Sequence, residues 1–529
     1  MDDELDPQAD AFGIDLTPVD PVQLAWCELS DLGNAERLKA ITAGRLAFVD
    51  GWGWIAYDDT RWSAEHGERL AALYAHQVAK GMRAQIDALI SIPDKELPEW
   101  CSADMRDDRV LNLRKWSVKS GDAGRTTAML QQASHLLSVP REAFDREPFA
   151  LNVRNGTLRI WREGPDKRVR FRLDPHDPAD RITRVCAVVW DPAAECPKWN
   201  SHIETALPIE RVRLFFQDVI GYSFTGSTRE QMAFFCQGRG GDGKSTALNT
   251  LRNMADSYGL TADVKSFLEE GNAKSGSEAT PDIFRMQGDT RFISTAEPKR
   301  GQALAESRMK ALTGGGRLAS REPYGRKLVE FVPRGKLLLE CNSKPRISGD
   351  DDGIWRRIIV IMFPHQFKGK GLIKGYEEQL VREWPGILNW VLAGMARWIE
   401  RGQLDVPPEV IEAVEDYRRA ANPFGEWFAE RVDVSDPLAK QASSDFYADY
   451  KAWCDRNSVG DREILSTTKF GIALGDRQLL KWKGGDGRVM RRGGRIRPGE
   501  GASGTAASGT PAGDQQAPSE WGEDDDWPV

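Results

Sequence analysis

The run Gly238-Arg239-Gly240-Gly241-Asp242-Gly243-Lys244-Ser245, set between the apolar stretch MAFFCQ and the segment TALNTLRNMA, constrains this chain more than any other feature. It satisfies G-x-x-x-x-G-K-[ST] where that pattern has meaning, in a glycine loop fed by a buried strand and opening a helix. Backbone N–H groups can wrap a triphosphate closely only where side chains do not block the approach, which is what the glycines supply. Lys244 then reaches the β- and γ-phosphates and Ser245 offers a hydroxyl to a divalent cation. The N-terminus of the helix through Thr246 adds a favourable field for the anion. The expected ligands are ATP and Mg²⁺, held across Gly238 to Thr246.

A chain of 529 residues suggests roughly three or four domains. No run approaches the ~18 apolar residues that span a bilayer, and the opening MDDELDPQAD is acidic where a secretory signal is basic. The expectation is a protein of the cytoplasm of a bacterial host cell, with no membrane partner. Seven cysteines without a C-x-x-C pair fit reduced core thiols, with no structural metal expected. The net charge of −8 hides an asymmetry, because residues 1–20 and 498–529 each hold seven carboxylates and no Lys or Arg in return. Setting these aside leaves a mildly cationic body, which permits a nucleic-acid partner without demanding one.

Along the chain, residues 1–20 read as a disordered acidic leader and 21–195 as a mainly helical α+β domain. That domain has a strand-like, Trp-rich piece at Gly51–Tyr57 and a hairpin signal at Asn155-Gly156. Residues 196–230 read as a helical lead-in, and 231–365 as alternating strands and helices, the pattern of an α/β sheet with its ligand site at the C-terminal strand edge. Helices return over 366–420, a small domain spans 421–497, and 498–529 reads as a disordered acidic tail.

A glycine loop alone does not separate a kinase from a motor, so the later motifs decide. RFISTAE ends in Glu297, a carboxylate placed to polarise an attacking water or support the Mg²⁺ shell alongside Ser245. KLLLECN ends in Asn342, whose amide suits sensing a γ-phosphate, or a turn before Pro345. Arg356 and Arg357 precede the strand IIVIMF and are candidates for a guanidinium supplied to a neighbouring subunit.

The ordered set GRGGDGKST, STAEPKRGQ, KALTGGGRLASREPY, FVPRGKLLLECNSKPRI and DDGIWRRIIVIMF resembles the superfamily 3 helicase module of phage- and plasmid-encoded primase-helicases, the group that includes poxvirus and satellite-phage replication proteins. LSDLGNAERL, LNVRNGTLRI and HDPADRITRV resemble the domain preceding the motor there, and FYADYKAWCDRN with STTKFGIAL resembles its C-terminal winged helix. The resemblance implies a multidomain α/β chain with an AAA+-like P-loop NTPase core. It implies Lys244 and Ser245 as the Walker A pair, Glu297 as the Walker B acid, Asn342 as sensor and Arg356 or Arg357 as finger. It also implies a hexameric ring moving 3′ to 5′ on single-stranded or forked DNA during replication. Two departures stand out: Asp242 where the family usually has Asn, and Gly316 where it usually has Asp.

The same resemblance implies a DNA grip in a hairpin whose tip carries Tyr324, Arg326 and Lys327, the other reading of that tip being an ordinary solvated turn, and the basic wing adds Arg491 and Arg492 as phosphate contacts or as a solvated linker. The tail Trp521–Val529 resembles the acidic tip of bacterial single-stranded-DNA-binding proteins, and reads either as a docking point for host replication proteins or as a solubilising tail. Residues 21–195 offer neither a zinc-ligand cluster nor a convincing pair of metal-binding carboxylates, so priming is expected from a separate primase. The competing reading is an origin-remodelling initiator ATPase without processive unwinding.

Overall fold

Five apolar runs of four to six residues supply strands that pair only with one another, in parallel, and together they form the centre of the chain. The computed structural model describes residues 19–164, 168–269, 281–299, 302–321, 328–347, 352–367, 375–457, 459–460, 464–484 and 487–497. The chain divides into two compact units, Met1–Ala421 and Asn422–Val529.

The first unit opens with helices α1 (Asp31–Thr42), α2 (Gly67–Ser91), α3 (Ala103–Ser120) and α4 (Ala123–Leu136). Ser30 starts α1 as its N-cap, accepting from the Gly33 amide at 3.1 Å and so satisfying one of the helix's orphan donors. Between α1 and α2 lies an antiparallel sheet of β1 (Leu46–Val49), β2 (Gly53–Tyr57) and β3 (Trp62–Ser63). A second antiparallel sheet joins β4 (Ala150–Val153), β5 (Gly156–Glu163) and β6 (Arg168–Asp174). The hairpin expected at Asn155-Gly156 is there, one residue earlier than the dipeptide suggests. Val153 pairs with Gly156, so Arg154 and Asn155 form the turn and the glycine is the first strand residue.

Helices α5 (Pro197–Ala206) and α6 (Glu210–Ser223) lead into β7 (Ala233–Gly238), α7 (Lys244–Ala255), β8 (Gly259–Ala262), β9 (Phe292–Thr295), α8 (Glu306–Thr313), the β10 (Leu318–Arg321) and β11 (Leu328–Phe331) hairpin, β12 (Lys336–Cys341) and β13 (Ile358–Phe363). The parallel strands lie in the order β13-β7-β12-β9-β8. Successive side chains of a strand face opposite sides, so each of these runs feeds two cores. Phe234, Phe292, Leu338 and Ile361 pack towards α6, α7 and the helix α9 (Trp384–Arg401). Phe235, Ile293, Leu339 and Val360 pack on the other face with Met309 of α8 and Tyr417 of α10 (Pro408–Ala421).

At the start of the strands the interior is charged. Arg291 is 2% exposed, and its Nη2 lies 2.5 Å and its Nε 2.9 Å from Asp289 Oδ2, while Nη1 donates to the Phe224 carbonyl at 2.9 Å. Buried Lys336 donates to the Thr225 and Arg334 carbonyls, and burial drives its pKa well down. Arg334 also donates to the Asp145 backbone oxygen, which ties the segment before β4 to the sheet. Removing one partner of a buried pair strands the other, so Arg291→Leu is expected to destabilise the chain by ~3–5 kcal/mol. Chemical denaturation checks this, and Asp289→Asn added to Arg291→Leu should recover part of the loss.

The second unit holds α11 (Pro423–Arg431), β14 (Val432–Asp433), β15 (Lys440–Ala442), α12 (Ser443–Arg456), α13 (Thr467–Asp476), β16 (Leu480–Lys483), β17 (Val489–Arg492) and β18 (Arg495–Ile496). Trp427, Phe446, Tyr450 and Phe470 form its aromatic centre, and Asp449 accepts from both the Trp427 indole at 2.8 Å and Arg431 at 2.9 Å. Here the expectation for Arg491 fails. It is 4% exposed and donates to the Ser443 hydroxyl and to the Leu479 and Gly471 carbonyls, so it holds β17 to α12 and α13 and cannot meet a phosphate. The alternation of β17 explains it, since Arg492 faces outward and Arg491 inward.

All seven cysteines are free, and six are buried. Among the described residues no helix is long and apolar enough to cross a membrane.

Candidate nucleotide site

Strand β7 ends at Gly238 and α7 begins at Lys244, so the loop between them must reverse quickly at the C-terminal edge of the sheet. Gly243 caps α7 with φ +83°, and a Cβ there would lie 2.7 Å from the Phe367 ring and 2.8 Å from the His202 ring. Only glycine fits. At Gly238 a Cβ would fall 1.6 Å from Asp242 Oδ2, because the Asp242 side chain folds back across the loop. Glycine at 238 is thus what lets the Asp242 carboxylate enter, 2% exposed.

There it meets Lys244. The Lys244 ammonium lies 3.0 and 3.2 Å from the two Asp242 oxygens and donates to Asn342 Oδ1 at 2.8 Å. Asn342 follows β12, and its backbone and side-chain N–H groups donate to the two Glu297 oxygens at 3.1 and 2.7 Å. Glu297 stands two residues beyond β9. The neighbour order β7-β12-β9 therefore brings Lys244, Asn342 and Glu297, distant in sequence, into one hydrogen-bonded row.

Sequence reading missed a fourth member. Glu340, the penultimate residue of β12, accepts the Ser245 hydroxyl. Burial raises its pKa, the Ser245 hydrogen bond and Lys244 oppose that, and the Asp242 and Glu297 carboxylates add to it. The signal was a lone charge inside the apolar run KLLLEC. Ser245 thus faces Glu340, whereas Glu297, expected beside Ser245, faces Asn342. Gly240, Gly241, Lys244, Ser245, Glu297, Glu340 and Asn342 are among the residues lining a cleft of about 430 Å³.

The loop is braced from behind. The Phe367 amide donates to the Gly241 carbonyl at 2.7 Å, Gln366 Nε2 to the Gly240 carbonyl at 3.2 Å, and His202 Nε2 lies 3.0 Å from the Gly243 carbonyl. Burial lowers the His202 pKa against the pull of that hydrogen bond. A neutral ring donating to a carbonyl must carry its proton on Nε2. No local pattern points to His202, which arrives from α5, forty-one residues upstream.

The paired arginines part company. Arg356 is exposed, while Arg357 is half-buried and donates to the Gly353 carbonyl. Arg492 is exposed on β17. Tyr324, Arg326 and Lys327 lie outside the described residues, as does Trp521–Val529, although β10 and β11 pair up to Arg321 and Leu328 on either side of that hairpin tip.

Residues 35–208 match the family model described as D5 N terminal like. "Putative helicase 022R" of Frog virus 3 is 24% identical over 60% of this chain and 32% of its own length. "Putative helicase L207/L206" of Acanthamoeba polyphaga mimivirus is 25% identical over 49% of this chain and 28% of its own length. The matches thus span about a third of these curated relatives. Among solved structures, the apo NrS-1 C terminal region superposes with a TM-score of 0.37 at 11% identity, covering 64% of this chain and 96% of that one. The chain thus carries a D5 N terminal like domain over residues 35–208 and is similar, over about a third of their length, to viral proteins named as helicases.

Proposed function

We propose that the chain is an ATP-dependent DNA helicase or translocase of a phage or plasmid replication system, working as a hexameric ring that moves 3′ to 5′ on single-stranded or forked DNA. The observation that carries this reading is the convergence of Lys244, Ser245, Glu297, Glu340 and Asn342 on one cleft at the C-terminal edge of a parallel sheet. In it the glycine loop is an AAA+-like P-loop, and the second unit is a winged helix whose exposed Arg492 meets the DNA backbone.

The donor set suits Mg²⁺, which takes hard oxygen ligands and keeps several waters. Ser245 and Glu340 would hold it, and the metal would neutralise charge on the β- and γ-phosphates. Lys244 binds the same phosphates once it leaves Asp242. Glu297, with both oxygens fixed by Asn342, is oriented to accept a proton from an attacking water. Asn342 touches both Lys244 and Glu297, so a phosphate that draws off the ammonium is felt at the base.

The test is a forked duplex longer than ~30 base pairs, supplied with ATP and Mg²⁺, with and without a separate primase and host replication proteins present. Complete strand separation is expected from this chain alone. Hydrolysis accompanied only by local melting would overturn the translocase reading and favour an origin-remodelling initiator.

A further inference from the structure

A second cleft, of about 610 Å³, opens at the opposite edge of the parallel sheet, where β8 and β9 begin, against the β2–β3 sheet of the N-terminal domain. Its walls are stitched together. Trp62 N donates to the Ile182 carbonyl at 2.8 Å, Asn152 Nδ2 bonds the Thr60 and Arg184 carbonyls at 2.8 and 2.9 Å, and the Ser257 hydroxyl bridges both backbone groups of Val185 at 2.7 and 2.9 Å. The cavity is therefore built before anything enters it, and its volume falls in the range of small-ligand sites.

Two buried donors on its wall have no acceptor. Gln287 is 7% exposed and its Nε2 is unpartnered, and Nε of the adjoining Arg184, whose Nη2 donates to the Gln287 carbonyl at 3.1 Å, is unpartnered too. Such groups are costly to leave unmade, and neither can accept a hydrogen bond, so whatever completes them brings acceptors, as a phosphate's oxygens would. The cleft also offers the half-buried ring of Trp52, over which Arg141 sits 4.8 Å from the centroid. Its charged wall residues are Arg61, Arg184 and Arg285 against Glu65 and Asp256, one cation in excess. That balance matches a single phosphate charge and falls short of neutralising a triphosphate.

We propose that this cleft is a second site, taking one nucleotide unit with its phosphate on Arg184 and Gln287 and its base against Trp52. The unit is either a free nucleoside monophosphate or one residue of a DNA strand, which share this chemistry. The inference does not rest on the ATP reading, since it uses neither the glycine loop nor a triphosphate.

Isothermal titration of the full chain with deoxyadenosine monophosphate, and separately with a ten-nucleotide oligothymidylate, tests it in the presence of saturating Mg·ADP. At least one probe should bind, and which one identifies the source. Trp52→Ala and Gln287→Leu should each weaken that probe at least tenfold, with thermal melting and DNA-free ATP turnover unchanged. The second substitution removes the side-chain amide with its orphan donor and nearly keeps the volume, so it guards against a folding defect in the first. Failure of both probes to bind the wild-type chain, or affinities in both variants equal to wild type, overturns the proposal.

Discussion

Replacing Lys244 with Ala is expected to lower ATP turnover by at least about 10²–10³-fold, the loss seen when one preorganised charge-stabilising donor is removed. The structure adds a second effect. Lys244 and Asp242 are 4% and 2% exposed, so the substitution also strands a carboxylate inside the loop. Breaking a buried pair from one side costs ~3–5 kcal/mol. Asp242→Asn in the Lys244→Ala background should therefore restore most of the stability and none of the turnover. Asp242→Asn alone should tighten Mg·ATP by about tenfold, equivalent to ~1.4 kcal/mol, because the phosphates no longer compete with a carboxylate for the ammonium. The gain stays modest, since Asn342 still holds Lys244 from the other side. Denaturation and nucleotide titration on the three variants check the scheme. A Lys244→Ala chain that turns over ATP normally, or whose instability Asp242→Asn does not relieve, would contradict it.

How much of this was legible in advance depended on whether a residue's partner lay nearby in sequence. The glycine loop, the parallel strands and the candidates Lys244, Asn342 and Glu297 were readable one by one because each sits at a strand end, marked by local pattern, whereas the hydrogen-bonded row they form was not, Glu297 having been expected beside Ser245. The Trp-rich strands of the N-terminal domain were readable for the same reason. Glu340 was hidden by its position inside a strand, where a charge reads as an exception until the neighbouring Ser245 is seen opposite it. His202 was hidden because its target is a backbone carbonyl, which leaves no mark in the sequence. The buried cluster of Asp145, Asp289, Arg291, Arg334 and Lys336 could not be read at all, since charged residues are ordinarily placed outside and only tertiary pairing brings them in. Arg491 was misread for the converse reason: a cationic cluster is read as surface, and strand alternation sends every second member inward.

Asp242 also changes meaning between the two levels. From sequence it is only a carboxylate where the resembled family usually has Asn. In the folded loop it is a counter-ion that occupies the lysine until a stronger anion arrives, so the resting site pays no penalty for an unpaired buried ammonium. Burial raises the pKa of Glu340, and the same carboxylate, with Glu297, adds to that rise. A divalent cation reverses that logic, because it favours the ionised form of every oxygen that faces it. Cation and nucleotide are therefore expected to bind cooperatively, each removing the charge that opposes the other.

Arg356→Ala should cut ATP hydrolysis by ~10³–10⁵-fold while leaving nucleotide affinity near wild type, whereas Arg357→Ala should act on stability. The difference lies in what each guanidinium already does. Arg357 donates to the Gly353 carbonyl and is half-buried beside Gly314, where a Cβ would stand 3.3 Å from its Nη2, so it braces the segment before β13 and packs against the end of α8. Arg356, one residue earlier, is exposed; its amide donates to the Asp352 carbonyl at 3.1 Å, while its guanidinium has no hydrogen-bond or ion-pair partner among the described residues. A finger must reach a phosphate on a neighbouring subunit, so it has to be free in its own, and its planar fork loses little entropy when it docks. If Arg356 acts across a subunit boundary, Arg356→Ala chains mixed into wild-type rings at substoichiometric amounts should depress activity more steeply than their fraction, because each one disables a neighbour's site. Activity falling in simple proportion, or the same steep loss from Arg357→Ala at unchanged stability, would reverse the assignment of the two residues or remove the shared site altogether.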